Sequence, residues 1–262
     1  MPRVVADETL DHLAPDDPAA QRSRRDLVRV HHAMRTRSIL ARGWRALLPP
    51  QPGGLPLRIL ELGAGDGTLL LALARSSAAA WPPVQLTLLD RQDIVAPATR
   101  AAYAALGWNV KVHTTDVLAW AALHDSPRAV PHWDLITTTL FLHHFEGPAL
   151  RRLLAAVAAR SSRFFACEPS RGWLALAGSH LIGAIGANAV TREDAVLSVH
   201  AGFRGDEISR HWPSHGSEGS EGDFKNGGRG DHWQLREYAA GLFSHCFSAQ
   251  RTAAVSADAA GP

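Results

Sequence analysis

The stretch LRILELGAGDG, residues 57–67, decides the fold. It begins as a short apolar run, which is typical of a buried strand. Three glycines follow at every second position, and a helical stretch begins at Thr68. Glycine lets the backbone turn tightly and lets a ligand approach the amino end of the next helix. The stretch therefore predicts a strand, a ligand-binding loop and a helix in succession.

The same alternation continues along the chain. Strands are predicted at 57–62, 84–90, 109–116, 133–140 and 163–169, and helices at 68–80, 96–106, 117–123 and 148–160. Strands that alternate with helices in this way form a parallel sheet with right-handed crossovers and helices on both faces. The sequence therefore predicts an α/β fold with a doubly wound sheet. Two later stretches, 233–237 and 243–251, are typical of a terminal hairpin.

Changes in composition divide the chain into four units. Residues 1–20 are acidic and punctuated by proline, so we expect a loose leader there, followed by a helix from about residue 21 to 48. The glycine-spotted sequence after Pro169 predicts a helical cap, which ends in a low-complexity loop at 214–230. The predicted units are the leader and helix at 1–50, the α/β core at 51–169, the cap at 170–230 and the terminal strands at 231–262.

Charge and composition exclude several classes of function. The chain has 27 Lys and Arg against 25 Asp and Glu, and it lacks the basic patch of a nucleic-acid binder. No apolar stretch reaches the ~18 residues that a membrane span needs, and the leader lacks the apolar core of a signal peptide. We therefore expect a cytoplasmic protein with no nucleic-acid partner. The sequence leaves the oligomeric state open.

Neither cysteine nor histidine predicts a metal site. Cys167 and Cys246 are too few for a disulfide framework or a cysteine-based metal centre. The 14 histidines show no spacing, with or without carboxylates, that is typical of metal ligands. We therefore expect no metal.

The glycine loop itself disfavours a dinucleotide. A dinucleotide-binding loop has the spacing G-x-G-x-x-G, whereas this chain has Thr68 in place of the third glycine. Glu61 and Asp66 flank the loop, and carboxylates suit a ligand with ammonium and hydroxyl groups better than a diphosphate. A nicotinamide-dependent oxidoreductase is therefore the weaker alternative.

Four motifs in series resemble those of the class I S-adenosylmethionine-dependent methyltransferases. They are ELGAGDG at 61–67, the acid Asp90 at a strand end, TDV at 115–117 and DLITTTLFLHHF at 134–145. The sequence of the fourth motif is most similar to that of the ubiquinone and menaquinone biosynthesis methyltransferases. The resemblance implies a Rossmann-like sheet of seven strands, mostly parallel, with the last strand antiparallel and a helical cap inserted before the last strands.

The resemblance also implies S-adenosylmethionine as the cofactor. Its loop would contact the methionine part, Asp90 the ribose hydroxyls, and Asp116 with the Val117 backbone the adenine. The cofactor-binding residues implied are Glu61, Gly63, Ala64, Gly65, Asp66, Asp90, Arg91, Asp116, Val117 and Thr138. Taken alone, Asp90 and Asp116 are equally typical of helix N-caps.

Two adjacent histidines and one acid are the catalytic candidates. His143 and His144 follow the fourth predicted strand, where ligands of parallel sheets bind. A phenol ionises only near pH ~10, so a neutral imidazole is suited to take its proton. We expect His143 to face the pocket as the base and His144 to make a structural bond, with catalysis by positioning alone as the alternative. Glu168 is expected to orient a hydroxyl or act as a second base, unless it only caps a helix or forms a salt bridge.

The acceptor is predicted to be a small, largely apolar molecule. Four aromatic side chains in and after the cap are candidates for its pocket: Trp173, Phe203, Trp212 and Trp233. Methylation at oxygen is favoured, with carbon methylation of a quinone-type precursor as the first alternative. A non-catalytic module that binds S-adenosylmethionine or its demethylated product is the alternative from another class.

Overall fold

The computed structural model describes residues 1–48, 54–77, 81–123, 132–213 and 232–252. Within these ranges the strands form one sheet in the order β3-β2-β1-β4-β5-β7-β6. Every neighbouring pair from β3 to β5 is parallel, and β7 runs antiparallel to both β5 and β6. The strands are β1 Leu57–Leu62, β2 Val84–Asp90, β3 Trp108–Thr114, β4 Leu135–Thr139, β5 Arg163–Pro169, β6 His232–Ala240 and β7 Ser244–Thr252. The predicted seven-stranded, mostly parallel sheet is confirmed.

Helices cover both faces of the sheet, because the strand side chains alternate between two apolar clusters. One cluster includes Trp44, Leu73 and Tyr103, and the other includes Leu153, Phe164 and Phe247. The helices are α1 Thr9–His12, α2 Pro18–Ala33, α3 Thr36–Leu47, α4 Thr68–Ser77, α5 Pro97–Ala105, α6 Val117–Ala122, α7 Gly147–Arg160, α8 Trp173–Leu181 and α9 Ala189–Ala201. None of the helices in the described ranges has the length and apolar character needed to span a bilayer.

The winding of the sheet reverses at β1, which lies between β2 and β4. Leu62 at the end of β1 pairs with Leu89 on one side and Thr138 on the other. The carboxyl ends of three parallel strands therefore meet at one edge, where open α/β sheets bind their ligands.

The helix expected at 21–48 is broken in two. Arg35 has a φ of 56°, in the left-handed region that ends helices. The break lets α3 bury Ile39 and Trp44 against the sheet, while α2 turns away over the edge where the strands end. Periodicity alone missed it because both halves keep helical spacing.

The leader is not loose, contrary to our expectation. Val4 donates its N–H to the His200 carbonyl at 3.1 Å, and the Arg3 guanidinium donates to the carbonyls of Ala201, His143 and Phe145. We call residues 3–11 the N-terminal segment. These bonds tie it to α9 and to the turn after β4, so it covers the strand-end edge.

The two cysteines, Cys167 and Cys246, lie directly opposite each other on β5 and β7, and both are buried. The loop expected at 214–230 lies outside the described residues. The boundaries of the four units remain predictions.

Candidate functional site

A cavity of about 690 Å³ opens at the strand-end edge. Its floor is the glycine loop and the ends of β1, β2 and β4, and its walls are the N-terminal segment, α2, α8 and α9. The volume lies within the usual ~300–1,000 Å³ of small-molecule sites. The cavity thus lies at the strand ends, where the sequence motifs were predicted to meet.

The glycine loop is shaped by backbone that other residues adopt poorly. Gly63 has a φ of 68°, and a Cβ there would collide with the Phe141 ring. Gly65 also has a positive φ, but no heavy atom lies within 4 Å of the position of a Cβ. The loop is therefore packed at Gly63 and leaves open space at Gly65, where a ligand can approach the backbone.

Asp90 and Asp116 both bind backbone, and both line the cavity. Asp90 accepts the N–H of Gly65 at 2.9 Å and that of Gln92 at 3.0 Å. Asp116 caps α6 by accepting the N–H groups of Leu118 and Ala119. A carboxylate has about four acceptor positions, so these bonds leave capacity for ligand hydroxyl or amino groups.

Glu61 is a buried carboxyl without a full set of partners. Its side chain lines the cavity, and Oε2 has no hydrogen bond. Burial raises its pKa to about 8, and the negative charges of Asp66 and Asp90 act in the same direction. An empty buried acceptor next to an open loop fits a ligand that brings a positive charge, such as the ammonium group of S-adenosylmethionine.

Nine of the ten cofactor residues implied by the resemblance line this one cavity. They are Glu61, Gly63, Ala64, Gly65, Asp66, Asp90, Arg91, Asp116 and Val117. Thr138 does not line it, because its buried hydroxyl donates to the Leu62 carbonyl inside the sheet at 3.1 Å. We therefore withdraw Thr138 from the set, and the roles of the other nine remain proposals.

His143 lies between two carboxylates. Its Nδ1 is 2.9 Å from Glu168 Oε2, and its Nε2 is 3.2 Å from Glu8 Oε1. Burial by itself lowers the pKa of His143, but the bonds to Glu168 and Glu8 outweigh it and raise the pKa to about 9. At neutral pH the ring is an imidazolium that donates from both nitrogens.

Glu168 lies behind His143 and does not line the cavity. It is fully buried and accepts backbone N–H groups from Phe141, Leu142 and His143. Leu140 just before them has a φ of 51°, so the chain turns sharply after β4. Glu168 therefore holds this turn and the His143 ring in place from outside the cavity.

His144 offers its ring to the cavity. Its side chain is 19% exposed, and its Nδ1 lies 3.5 Å from Asp11 Oδ2. The described residues form no hydrogen bond with Nε2. Burial lowers the pKa of His144, and the charge on His143 lowers it further. At neutral pH this ring is uncharged and has a lone pair available.

Our expectations for the pair therefore change. We expected only one histidine to reach the pocket, but both line it. His143 is the buried, doubly bonded cation and His144 is the neutral ring, which is the reverse of the expected arrangement. Neighbouring residues point to opposite sides in a strand, but residues 142–144 form a 3-10 turn.

A metal is not needed to explain this cluster. Ligand atoms of Glu8, His143 and His144 lie within 4.8 Å of one another. Both nitrogens of His143 are already engaged with carboxylates and offer no lone pair to an ion. The expectation of no metal remains a prediction.

The aromatic side chains expected around the acceptor lie elsewhere. Trp173 is 73% exposed, and Trp212 packs against Phe164, Trp233 and Phe247. Phe203 is buried under the Arg3 guanidinium. The apolar lining instead includes three other aromatic side chains, Phe141, Phe145 and Phe243, and aliphatic side chains from α2 and residues 181–185, namely Leu27, Val28, Val30, Met34, Leu181, Ile182 and Ile185.

Carboxyl groups dominate the polar lining. Two guanidinium groups, those of Arg24 and Arg91, line the cavity, and no lysine does among the described residues. The eight carboxyl side chains are Asp7, Glu8, Asp11, Glu61, Asp66, Asp90, Asp116 and Asp194. Sequence reasoning missed Glu8 and Asp11 because nothing in the local pattern of the leader distinguishes them from solvated acids.

The family model of a methyltransferase domain matches residues 59–181. The match begins in β1, ends with α8, and includes the glycine loop, Asp90, Asp116 and both histidines. This part of the chain is similar to a methyltransferase domain. The match and the observed fold support the predicted class I, S-adenosylmethionine-dependent methyltransferase and its cofactor. The finer resemblance to the ubiquinone group stays a prediction.

Solved structures share the fold of this chain at low sequence identity. An O-methyltransferase family protein from Burkholderia thailandensis has a TM-score of 0.56 and 14% identity, covering 91% of this chain and 61% of its own. The mitomycin 7-O-methyltransferase MmcR has a TM-score of 0.54 and 14% identity, covering 93% and 60%. The plantazolicin methyltransferase BpumL, solved with SAH, has a TM-score of 0.51 and 14% identity, covering 90% and 92%. The chain therefore spans about three fifths of the first two proteins.

None of the curated proteins matches this chain in sequence.

Proposed function

We propose that this methyltransferase transfers a methyl group from S-adenosylmethionine to a hydroxyl of a small, largely apolar acceptor. The observation that carries the proposal is a single cavity that joins the glycine loop to the uncharged His144 ring. The nine loop and strand-end residues named above would hold the cofactor. The apolar side chains of α2 and of residues 181–185 would hold the acceptor.

Held by these nine residues, S-adenosylmethionine would supply a methyl group from its sulfonium, with the electron pair of the broken carbon–sulfur bond left on sulfur. The acceptor oxygen would form the new carbon–oxygen bond, and Nε2 of His144 would take the proton of the acceptor. Asp11 lies beside Nδ1 of the same ring and would stabilise the imidazolium that forms. His143 and Glu168 act as positioning residues, because they hold the turn that carries His144.

Carbon methylation is the second candidate, because the fourth motif resembles that of the ubiquinone and menaquinone biosynthesis methyltransferases. A phenolic ring that is methylated at carbon also needs its hydroxyl ionised, so His144 would serve both reactions. The position of the new methyl group in the product separates them.

Methyl-labelled S-adenosylmethionine, incubated with the protein and an extract of small metabolites, tests the proposal. We expect label in an apolar product, and calorimetry should show binding of S-adenosylmethionine and of S-adenosylhomocysteine. If neither cofactor form binds, the proposal is wrong. Binding without any labelled product would favour the non-catalytic module.

Replacement of Asp90 tests the cofactor half of the site. Asp90→Asn should weaken binding of S-adenosylhomocysteine by ~1–3 kcal/mol, because bonds to the ribose hydroxyls are lost. Calorimetry should compare it with an analogue that lacks those hydroxyls, which the variant should bind as well as the wild type does. Because Asp90 also holds the Gly65 N–H, equal weakening for both ligands would mean that it only shapes the loop. Asp93→Asn, an exposed neighbour paired with Arg100, is the control.

Cofactor affinity should depend on pH through Glu61. In the empty site its pKa is raised to about 8, so it is mostly protonated at pH 7, whereas a bound cation favours the carboxylate. Affinity should therefore rise as pH increases from 6 to 9, and binding at pH 7 should release a proton. Calorimetry in buffers of different ionisation enthalpy measures that proton. Glu61→Gln should remove the pH dependence; a variant that keeps it would assign the proton to another group.

A further inference from the structure

The acceptor side of the cavity is acidic and has little positive charge to balance it. Glu8, Asp11 and Asp194 line this side. The His143 cation is already shared between Glu8 and Glu168. An anionic acceptor would therefore meet several carboxylates and few cations.

The two arginines of the cavity are engaged elsewhere. Arg24 donates to the Pro15 carbonyl and to the side chain of Gln92. Arg91 lies 3.7 Å from Asp11, so the charge of this guanidinium is offset by the Asp11 carboxylate. These two guanidinium groups are outnumbered by the carboxyl groups of the lining, so the polar part of the cavity stays acidic.

The mouth of the same cavity is apolar, which is an independent observation. Val28 and Leu181 line the cavity and are yet 55% and 68% exposed, and Ile185 is partly exposed beside them. The Arg29 guanidinium donates to the Gly186 carbonyl at 3.4 Å, which holds α2 next to the turn after α8. Exposed apolar side chains at the rim of a cavity are typical of a surface that a ligand covers.

We propose that the acceptor is uncharged or cationic at its reacting end and carries an apolar body that lies over Val28, Leu181 and Ile185. The inference rests on the proposed function and adds the charge class of the substrate. Acceptors with a carboxylate or a phosphate near the reacting group should bind more weakly, since even one pair of like charges a few ångströms apart in a partly screened site costs about tenfold in affinity.

Three probes with one skeleton test the charge class: 2-naphthylmethanol, 2-naphthylmethylamine and 2-naphthoate. Their binding is measured by naphthalene fluorescence anisotropy on protein saturated with S-adenosylhomocysteine. We expect the alcohol and the amine to bind at least ten times as tightly as the carboxylate. Asp11→Asn should lower the ratio of the affinities for the alcohol or the amine to the affinity for the carboxylate by about threefold or more. Asp206→Asn, an exposed acid outside the cavity paired with Arg210, should leave it unchanged.

Equal or tighter binding of 2-naphthoate would overturn the inference, and so would the absence of binding by all three probes. Leu181→Ser tests the apolar mouth and should weaken the binding of the alcohol and of the amine to the same extent. An unchanged affinity would contradict the proposal that the apolar body of the acceptor lies over Leu181. Binding of S-adenosylhomocysteine is measured first and separately. Its failure refutes the proposed function, and the same titrations on empty protein then still decide the charge preference.

Discussion

His144→Ala should lower turnover by ~10²–10⁴-fold while leaving the affinity for S-adenosylmethionine nearly unchanged, because a positioned base contributes that much to proton transfer. The neutral state of the ring supports this expectation, since burial and the His143 charge lower its pKa. Methyl transfer to the acceptor found in the labelled screen is the measurement. The lower limb of the wild-type pH profile should therefore lie below pH ~6.5.

The loss in His144→Ala should shrink as pH approaches the acceptor's own pKa, because the acceptor then arrives already ionised. His113→Ala is the matched control, since His113 is exposed on β3 and does not line the cavity. Wild-type turnover in His144→Ala together with a large loss in His143→Gln would restore His143 as the base. Wild-type turnover in both variants would leave positioning alone as the mechanism.

Glu168→Gln should lower the free energy of unfolding by ~3–5 kcal/mol, the usual cost of breaking a buried ion pair by removing one partner. The amide places an NH₂ group where the backbone N–H groups of residues 141–143 and the His143 cation need acceptors. Chemical denaturation measures the loss. Turnover should fall as well, because the turn that carries His144 loses its anchor.

Glu237→Gln is the matched control, because Glu237, like Glu168, accepts backbone N–H groups and pairs with a histidine. Glu237 accepts the N–H groups of Ile208 and Ser209 and binds His245 at 2.8 Å, in a buried pair away from the cavity. It should also destabilise the protein but should leave turnover of the folded fraction unchanged. If both variants lose turnover equally, Glu168 acts only through stability.

The pH dependence of stability separates the His143 pair from other effects. The pKa of His143 is raised to about 9 in the folded protein, above the ~6.5 of an unfolded chain. The folded state therefore binds the extra proton between these values, and its stabilisation is complete below pH ~6.5 and lost as pH rises through about 9. Glu61 acts in the same direction, with a folded pKa of about 8 against 4.5. Glu168→Gln should flatten the part of the alkaline slope that belongs to His143, while a slope identical to the wild type would contradict the ion pair.

The sequence by itself predicted the sheet and most of the strand-end residues that line the cavity. Strand and helix alternation is a local property, and a parallel sheet brings the carboxyl ends of its strands to one edge whatever their loops contain. The glycine loop, Asp90 and Asp116 could therefore be placed in one site from their positions at strand ends. Thr138 could not, because its face of β4 depends on how the strand is packed.

Only the tertiary structure decided the acceptor side. Glu8 and His143 are 135 residues apart, and their contact depends on how the N-terminal segment packs against α9 and the turn after β4. The protonation states of His143 and His144 follow from that contact, because a pKa is set by the charges and burial around a group. Residue type and local periodicity do not indicate such distant partners. For this reason the sequence predicted a loose leader, and it predicted the roles of the two histidines in reverse.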